Sequence, residues 1–218
     1  MQRERTKCEM LRVEKIEVFN FEGAIRGARN PMNSWAKSDS EYVDGKYVIG
    51  ENDLNLLRRL VRAGSDERKF MRQILVSMDI TAPLYFWKEC DTYKVGTVAN
   101  SCSTMHKIHA SEFNISDFSV ERVSGEAGKQ LIYSIVDYLE YNRKLFNETK
   151  EKRFWENMIQ MLPSSYNQKR TITLNYEVLR NIYHARRHHK LEEWHTLCDA
   201  IDKMPYSELI TMEAKVAK

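Results

Sequence analysis

The sequence predicts an α/β (α+β) fold of a single domain, because strand-like and helix-like periodicities are interspersed along the chain. Residues 11–21, LRVEKIEVFNF, alternate apolar and polar side chains with the period of two that is typical of a strand. Residues 70–80, FMRQILVSMDI, form an apolar stretch typical of a buried strand, whereas residues 127–145 repeat apolar side chains at helical spacing. No internal repeat or low-complexity linker divides the 218 residues, so we expect one domain over residues 1–218.

The first fifty residues predict a strand followed by a long irregular excursion. In the strand, the side chains expected to point inward are Val13, Ile16 and Val18. Residues 22–52 are rich in Gly, Asn, Ser and Asp, which predicts irregular backbone. Three aromatic side chains are expected to pin this excursion rather than to bind a ligand: Trp35, Tyr42 and Tyr47.

Two helices are predicted next, one starting at an N-cap residue and the other at a proline. Asn52 or Asp53 is expected to cap the first, which ends near Gly64. Its apolar face consists of Leu54, Leu57, Leu60 and Val61. Pro83 is expected to begin the second helix, from Ala82 to about Cys90, because the first turn of a helix does not need the N–H that proline lacks.

The second half of the chain predicts mainly helices. After residues 108–118, where the signals are mixed, residues 127–145 form a helix whose apolar positions are Leu131, Ile135, Tyr138 and Leu139. Residues 151–162 form another, which Pro163 ends. A short strand at residues 171–174 then precedes a helix over residues 176–188, for which Asn175 is a good N-cap.

The composition is that of a soluble globular protein, and we expect neither a nucleic-acid polymer nor a membrane among its partners. The net charge of +3 is small and evenly mixed. No apolar run approaches the roughly 20 residues needed to cross a bilayer, and the N-terminus lacks the apolar centre of a secretory signal, so we expect a cytoplasmic protein. The scattered cysteines are expected to be reduced thiols: Cys8, Cys90, Cys102 and Cys198.

Two segments carry the side chains that point to a ligand. In residues 80–106, ITAPLYFWKECDTYKVGTVANSCSTMH, an apolar helix gives way to charged residues and then to a run rich in hydroxyl groups. In residues 162–194, positions 175, 179, 182 and 186 advance by four, three and four residues and therefore share one helix face. Asn175 and Arg186, near opposite ends of that helix, can contact different parts of an extended ligand.

Both segments resemble the flavin-dependent thymidylate synthase family. Its motif is Arg-His-Arg, a short gap, and then Ser-x-Asn-Glu-x-Ser-x-Arg-Tyr. Thr92, Tyr93 and Lys94 fall on the triplet, and the Asn, Glu and Ser positions hold Asn100, Ser101 and Ser103. The second segment keeps the family's order of features in Leu162-Pro163, Asn175, Asn181, Arg186, His189 and Trp194.

The resemblance implies the fold of the thymidylate synthase-complementing proteins, with a mixed or antiparallel sheet flanked by helices. It implies an enzyme that uses FAD, reduced by NADPH, to convert deoxyuridylate (dUMP) into thymidylate (dTMP), with methylenetetrahydrofolate as the carbon donor. Because the hydride comes from the flavin, no cysteine nucleophile is required. The resemblance further implies a homotetramer with active sites shared between subunits.

The resemblance also assigns roles to individual residues. Arg186 would stabilise charge on the pyrimidine ring as a catalytic residue, together with Ser103. The substrate-binding residues would be Lys88, Asn100, Ser101 and Arg186. The cofactor-binding residues would be Arg72, Tyr93, Lys94, Asn175, Glu177, Asn181 and His189. Two alternatives stay open: Arg186 as a solvated cation at a helix C-terminus, and Arg72 as an exposed strand residue.

Several cations that the family uses are absent. Glu177 replaces an Arg that contacts the cofactor, and Ile159 or Gln160 stands where another Arg would bind the nucleotide. The candidate replacements are Lys88, Lys94, Lys107, Lys169 and Arg187. Alternatively, the ligand has changed, and the protein is a flavoenzyme acting on another pyrimidine nucleotide or a non-catalytic nucleotide-binding homologue.

The histidines near the end of the last predicted helix admit one further interpretation. His184 and His188 are four residues apart, and Glu192 follows four residues later, as in some metal sites. A His-Glu-x-x-His pattern is missing, so the sequence favours a polar helix end and no metal.

Overall fold

The structure is a computed structural model that describes residues 11–213, so Cys8 lies outside the described residues. The strands are β1 (Arg12–Phe19), β2 (Glu41–Val43), β3 (Lys46–Val48), β4 (Leu75–Pro83), β5 (Val98–Ser101) and β6 (Asn167–Asn175). The α-helices are α1 (Phe21–Arg29), α2 (Glu51–Ala63), α3 (Leu84–Cys90), α4 (Glu126–Thr149), α5 (Lys152–Met161), α6 (Tyr176–Arg186), α7 (Glu192–Asp202) and α8 (Glu208–Thr211).

Four strands form one sheet in the order β1-β4-β6-β5. At one end of the β4 and β6 pair, the Tyr176 N–H donates to the Ile74 carbonyl, and at the other end the Leu84 N–H donates to the Tyr166 carbonyl. Since the sequence numbers rise along one strand as they fall along the other, the two strands are antiparallel. The predicted α/β fold class is confirmed.

The described residues fall into two compact units. Unit 1 contains residues 11–12, 80–92 and 100–171, and unit 2 contains residues 13–79, 93–99 and 172–213. The single domain expected over residues 1–218 stays a prediction.

Unit 1 has its own apolar core around α4 and α5. Fully or nearly fully buried side chains from the irregular segment 108–118 pack with those of the two helices: Ile108, Phe113, Phe118, Val136, Leu139 and Met158. The Phe113 N–H donates to Glu140, and the Phe118 ring meets the Tyr166 ring edge-on at 5.5 Å. The segment with mixed sequence signals is therefore a largely irregular one that contributes large apolar side chains to a core.

In unit 2, α6 packs against the 3₁₀ helix Arg68–Gln73 and against α7 and α8. Asn175 caps α6, as predicted, because its Oδ1 accepts the Val178 N–H at 3.0 Å. Leu179 and Ile182 on the predicted face are buried. The helix ends at Arg186, two residues earlier than predicted. Arg186 is thus in the last turn of a helix whose apolar face is fixed in a core.

The predicted irregular excursion over residues 22–52 is wrong, since it contains α1 and a β-hairpin. Phe21, Ala24 and Ile25 bury one face of α1. Glycine was among the residue types that indicated irregular backbone, but a Cβ on Gly27 would lie 2.7 Å from the Gln73 Oε1, so this glycine allows a close approach within a helix. Asp44 and Gly45 both have positive φ, as a two-residue turn between β2 and β3 requires.

The beginning of α2 also differs from the prediction. The helix begins at Glu51, and neither Asn52 nor Asp53 caps it. Instead, the carboxylate of Asp39 accepts the Asn52 N–H at 2.9 Å and the Asp53 N–H at 3.1 Å. A distant residue therefore caps this helix. Its predicted end at Gly64 is confirmed.

Other predicted boundaries and faces need correction as well. The buried strand begins at Leu75 rather than at Phe70, because residues 68–73 form a 3₁₀ helix. Pro83 precedes α3 in extended conformation and does not begin it, so Ala82 belongs to β4. Ile16 is 38% exposed, since Lys15 has φ 52° and breaks the alternation of β1.

The predicted apolar face of α4 is only partly buried. Leu139 is buried, but Leu131 is 63% exposed and Tyr138 is 40% exposed. The buried stripe passes through Val136, Leu139 and Asn142, and the helix carries more apolar side chains than that stripe accommodates. The prediction for α5 is confirmed to within one residue at each end.

Candidate functional site

In unit 2, Arg186 is held against two aromatic side chains. Its Nε donates a 3.0 Å hydrogen bond to the Tyr93 hydroxyl. Its guanidinium carbon lies 4.9 Å from the centroid of the Trp194 ring and 5.7 Å from that of the Tyr93 ring. The two rings meet edge-on at 6.1 Å, and Trp194 is fully buried. The cation is therefore directed by its neighbours rather than freely solvated.

His189 supports the same cluster from the turn between α6 and α7. Its ring lies 6.3 Å from the Trp194 ring, edge-on, and its Nδ1 accepts the Leu191 N–H at 3.2 Å. The His195 Nε2 lies 2.7 Å from the His189 carbonyl. Since Nδ1 of His189 acts as an acceptor, its Nε2 carries the proton when the ring is neutral. His189 can donate a hydrogen bond through that nitrogen.

The N-terminus of α6 lies against the loop of residues 93–99. Gly96 has φ 79°, and a Cβ on it would lie 2.9 Å from the Asn175 Nδ2 and 3.3 Å from the Val178 Cγ2. The neighbouring Thr97 Oγ1 is buried and has no hydrogen-bond partner among the described residues. A buried hydroxyl without a partner is costly, so this place fits a polar group of a bound molecule.

Glu177 in the first turn of α6 forms an ion pair with Arg68. The Arg68 Nε lies 2.9 Å from one carboxylate oxygen and 3.2 Å from the other, and its Nη2 donates at 3.1 Å. Glu177 is 8% exposed, so a nearby cation is needed to offset its desolvation. A guanidinium is thus present beside position 177, although it comes from a residue 109 positions earlier in the chain.

The other predicted cofactor-binding residues of unit 2 are exposed: Arg72, Lys94 and Asn181. Arg72 lies on the 3₁₀ helix whose Lys69, Phe70 and Gln73 line a cavity of about 560 Å³. Much of its lining is apolar, with Met32 and Leu60 among the other walls. A cavity of this size is within the range that holds cofactor-sized ligands.

Unit 1 contains the predicted substrate-binding residues and Ser103. Asn100 and Ser101 are exposed on β5, and Lys88 is exposed on α3. The Ser103 Oγ accepts the Met105 N–H at 3.2 Å and the His106 N–H at 2.8 Å. Because both lone pairs of the hydroxyl are used, Ser103 can donate its proton but is a poor nucleophile.

The hydroxyl-rich segment of unit 1 is anchored from both sides. The Cys102 N–H donates to the Lys169 carbonyl at 2.9 Å, and the Gln168 Nε2 donates to the Cys102 carbonyl at 2.7 Å. The Trp155 Nε1 donates to the Met105 carbonyl at 2.8 Å. These bonds fix the backbone on which the substrate-binding residues are predicted to lie.

Arg170 reinforces this anchoring and was not found from the sequence. Its guanidinium lies 4.3 Å from the centroid of the Trp87 ring and donates to the Gln168 Oε1 and the Asp91 Oδ1, at 3.0 and 2.7 Å. The sequence predicted a short strand at residues 171–174 only, and no local pattern indicates a partner 79 positions away.

Three cysteines of the described range are not in disulfides: Cys90, Cys102 and Cys198. Burial raises the pKa of Cys198 to about 11, and the nearby charge of Arg187 opposes this only in part. Cys198 is therefore a protonated thiol near neutral pH.

Near the end of α6, the His184 ring contacts a backbone carbonyl. His184 Nε2 lies 3.2 Å from the Ile210 carbonyl, and burial lowers the pKa of its ring. Within residues 11–213, no three His, Cys, Asp or Glu side chains are grouped so as to hold a metal ion. In the same range, no helix has the length and apolar character to span a bilayer.

The architecture, an antiparallel sheet with flanking helices, is that of solved flavin-dependent thymidylate synthases. No protein-family model matches the sequence, and no curated protein is significantly similar to it.

Two of the similar structures come from Helicobacter pylori. One is the crystal structure of flavin-dependent thymidylate synthase ThyX complexed with FAD and dUMP, with 18% identity, a TM-score of 0.68, and coverage of 92% of this chain and 97% of that one. The other is thymidylate synthase X (ThyX) with FAD and dUMP, with 18% identity, a TM-score of 0.68, and coverage of 93% and 97%. At this identity the likeness establishes the fold.

Proposed function

We propose that the protein is a flavin-dependent thymidylate synthase-like enzyme of the cytoplasm, which methylates dUMP reductively to dTMP. NADPH would supply the electrons and methylenetetrahydrofolate the carbon. The observation that carries the proposal is the oriented guanidinium of Arg186, at a helix end in a fold shared with proteins that bind FAD and dUMP.

The chemistry of Arg186 suits the proposed reaction. Adding a carbon to the pyrimidine ring requires that negative charge developing on the ring be stabilised. A guanidinium keeps its proton at all relevant pH values and offers several fixed N–H donors, and preorganised donors stabilise such charge best. Tyr93 and Trp194 hold Arg186 in place before any substrate arrives.

The residues of unit 2 fit a flavin nucleotide. Thr97 supplies a buried hydroxyl without a partner among the described residues, and Asn175 and His189 supply an amide and a ring N–H. When bound, the flavin supplies the hydride, so the chain itself needs no nucleophilic thiol. Arg68 provides a cation beside Glu177, where the resemblance had implied an Arg.

The role proposed for Ser103 is that of a hydrogen-bond donor to the substrate. Its oxygen already accepts two backbone N–H groups, so its proton is the part of the hydroxyl that can contact a carbonyl or phosphate oxygen. Asn100, Ser101 and Lys88 are proposed to bind the nucleotide from the same unit.

The proposal is tested first by loading the purified protein with FAD and recording its absorbance spectrum, and then by following NADPH oxidation with and without dUMP. We expect a bound-flavin spectrum and oxidation stimulated by dUMP. An Arg186→Ala variant should keep the flavin spectrum and lose the stimulation. If the wild type binds no flavin, or if dUMP has no effect on NADPH oxidation, the proposal is wrong.

A second candidate is a related reaction on another pyrimidine nucleotide. It is favoured by the loss of the Arg that the resemblance implies as a nucleotide-binding residue, because Ile159 or Gln160 stands at that position. Binding of dUMP and of deoxycytidylate to the FAD-loaded protein separates the two candidates. Tighter binding of deoxycytidylate would favour the second.

A further inference from the structure

Three side chains in mutual contact, Tyr93, Arg186 and Trp194, form a group that we call the aromatic clamp. They come from three places in the chain: the loop after α3, the last turn of α6 and the first turn of α7. Trp194 is fully buried and packs edge-on against both His189 and Tyr93. The buried Trp194 ring therefore gives the aromatic clamp a rigid support.

Each partner restrains a different motion of the guanidinium. The Trp194 ring, 4.9 Å from the guanidinium carbon, restrains displacement of the group. The Tyr93 hydroxyl accepts the Nε–H and restrains rotation of the group within its own plane. Because a guanidinium is planar, the direction of one N–H fixes the directions of the others.

The hydroxyl of Tyr93 is engaged as an acceptor toward Arg186. The Tyr93 hydroxyl oxygen lies 3.0 Å from the Arg186 Nε, and the centroid of the Tyr93 ring lies 5.7 Å from the Arg186 guanidinium carbon. The resemblance had placed Tyr93 among the cofactor-binding residues. In the structure, the Tyr93 hydroxyl accepts a hydrogen bond from Arg186, the residue that is proposed to contact the pyrimidine.

We propose that Tyr93 is a positioning residue for Arg186, which it orients, with Trp194, toward the pyrimidine ring of the substrate. This inference rests on the proposed function for the identity of the ligand, and on the clamp geometry for the role of Tyr93. Tyr93 then affects substrate binding through Arg186 and has no direct effect on the flavin.

The test measures FAD and dUMP affinities by calorimetry for the wild type, Tyr93→Phe, Arg186→Ala and the double variant. Tyr93→Phe keeps the ring and removes only the hydroxyl. We expect it to weaken dUMP binding about ten-fold, the order expected for one hydrogen bond to a charged group, and to leave FAD affinity unchanged. In the Arg186→Ala background, the same substitution should have no further effect, because its target is gone.

Tyr183, on the same helix as Arg186, provides a matched control. Tyr183 lies under the guanidinium of Arg187, 5.7 Å from ring centroid to guanidinium carbon, outside the clamp. Tyr183→Phe should leave dUMP affinity unchanged. The inference is overturned if Tyr93→Phe weakens FAD binding, or if its effect on dUMP persists without Arg186.

A ligand-free measurement separates this inference from the proposed function. In urea unfolding of the same four proteins, Tyr93→Phe should shift the midpoint in the wild-type background and not in the Arg186→Ala background. If the wild type fails to bind dUMP, the proposed function is wrong, and this cycle alone decides whether Tyr93 positions Arg186. Equal shifts in both backgrounds would show that it does not.

Discussion

Among single residues, Asp53 is a buried carboxylate of unit 2 that accepts hydrogen bonds from several donors. It is fully buried and accepts bonds from Arg29, from the hydroxyls of Ser38 and Ser40, and from two backbone N–H groups. Burial by itself raises the pKa of Asp53. The hydrogen bonds from Ser40, Ser38 and Arg29 outweigh burial, so the pKa lies below its ordinary value of 3.8.

This lowered pKa fixes the sign of a pH dependence. The folded state favours ionised Asp53, so the stabilisation is complete above the ordinary pKa and is lost as the pH falls through the lower folded value. Asp53→Asn should reduce the free energy of unfolding at neutral pH by about 3 kcal/mol, because it leaves buried Arg29 without its counter-charge. The difference from the wild type should shrink at about pH 3, measured by urea unfolding.

The control for this prediction is Glu51→Gln, two residues earlier. Glu51 is 72% exposed and lies 3.4 Å from Arg58, so removal of its charge should change the unfolding free energy by less than about 0.5 kcal/mol. A difference between Asp53→Asn and the wild type that stays constant from neutral to acid pH would contradict the account of Asp53.

The residues proposed to carry the chemistry were named from the sequence, whereas their contact partners were not. The resemblance named Arg186, Asn175 and His189, and the helical spacing placed positions 175, 179, 182 and 186 on one face of α6. The hydrogen bond between Tyr93 and Arg186 joins residues 93 positions apart, and that between Arg68 and Glu177 joins residues 109 apart. Periodicity reports burial along one element and does not report such pairs.

At the level of elements, the residue that caps α2 in the structure differs from the one that the sequence predicted. Asp39 supplies both carboxylate oxygens to the first turn, whereas the two predicted candidates for the cap, Asn52 and Asp53, are themselves in that turn. Asp39→Ala should lower the free energy of unfolding by about 1 kcal/mol, while Asn52→Ala should change it little. A larger loss from Asn52→Ala than from Asp39→Ala, measured by urea unfolding, would favour the sequence interpretation.

The loop of residues 93–99 gives a second prediction at this level. Gly96→Ala and Gly45→Ala both place a side chain at positive φ, 79° and 76°, so each should cost about 1 kcal/mol. Only at Gly96 does the new Cβ meet Asn175 and Val178, since nothing lies within 4 Å of the one at Gly45. Gly96→Ala should therefore also weaken FAD binding, and Gly45→Ala should not.

The spectrum of the FAD-loaded variants checks this pair. If both variants bind FAD as the wild type does, the N-terminus of α6 is not part of the cofactor site. If both weaken FAD binding equally, the effect comes from general destabilisation rather than from the contact with Asn175.

Long periodic elements were predictable, and the region around the hairpin was not. The ends of α5 and the N-cap of α6 follow from residues within the elements themselves. In α1, however, the glycines permit neighbouring side chains to approach, so their presence indicated a loop where a helix forms. Such a use of glycine depends on tertiary packing, which a local pattern does not contain.

At the scale of the whole molecule, α4 presents an apolar surface that its own unit does not cover. Tyr138 and Tyr141 follow Leu131 by seven and ten residues, so the three side chains lie on one side of the helix. Leu131 is 63% exposed, Tyr138 is 40% exposed and Tyr141 is 61% exposed. Exposed apolar surface of this kind is typical of subunit interfaces. We propose that this surface lies in a subunit interface of the homotetramer that the family resemblance implies.

Sedimentation should accordingly give a mass four times that of the 25.8 kDa chain. Combined Leu131→Asp and Tyr141→Asp substitutions should give smaller species, because each would bury an unpaired charge in the interface. Lys129→Asp, on another side of the same helix, is the control. A wild type that sediments as a monomer would contradict the proposed assembly.

The most direct test of the proposed function is mass-spectrometric detection of dTMP after incubation of the FAD-loaded protein with dUMP, NADPH and methylenetetrahydrofolate. We predict that dTMP accumulates, that its formation requires all four components, and that Arg186→Ala abolishes it while still binding FAD. Flavin-loaded wild-type protein that leaves dUMP unchanged under these conditions would contradict the account.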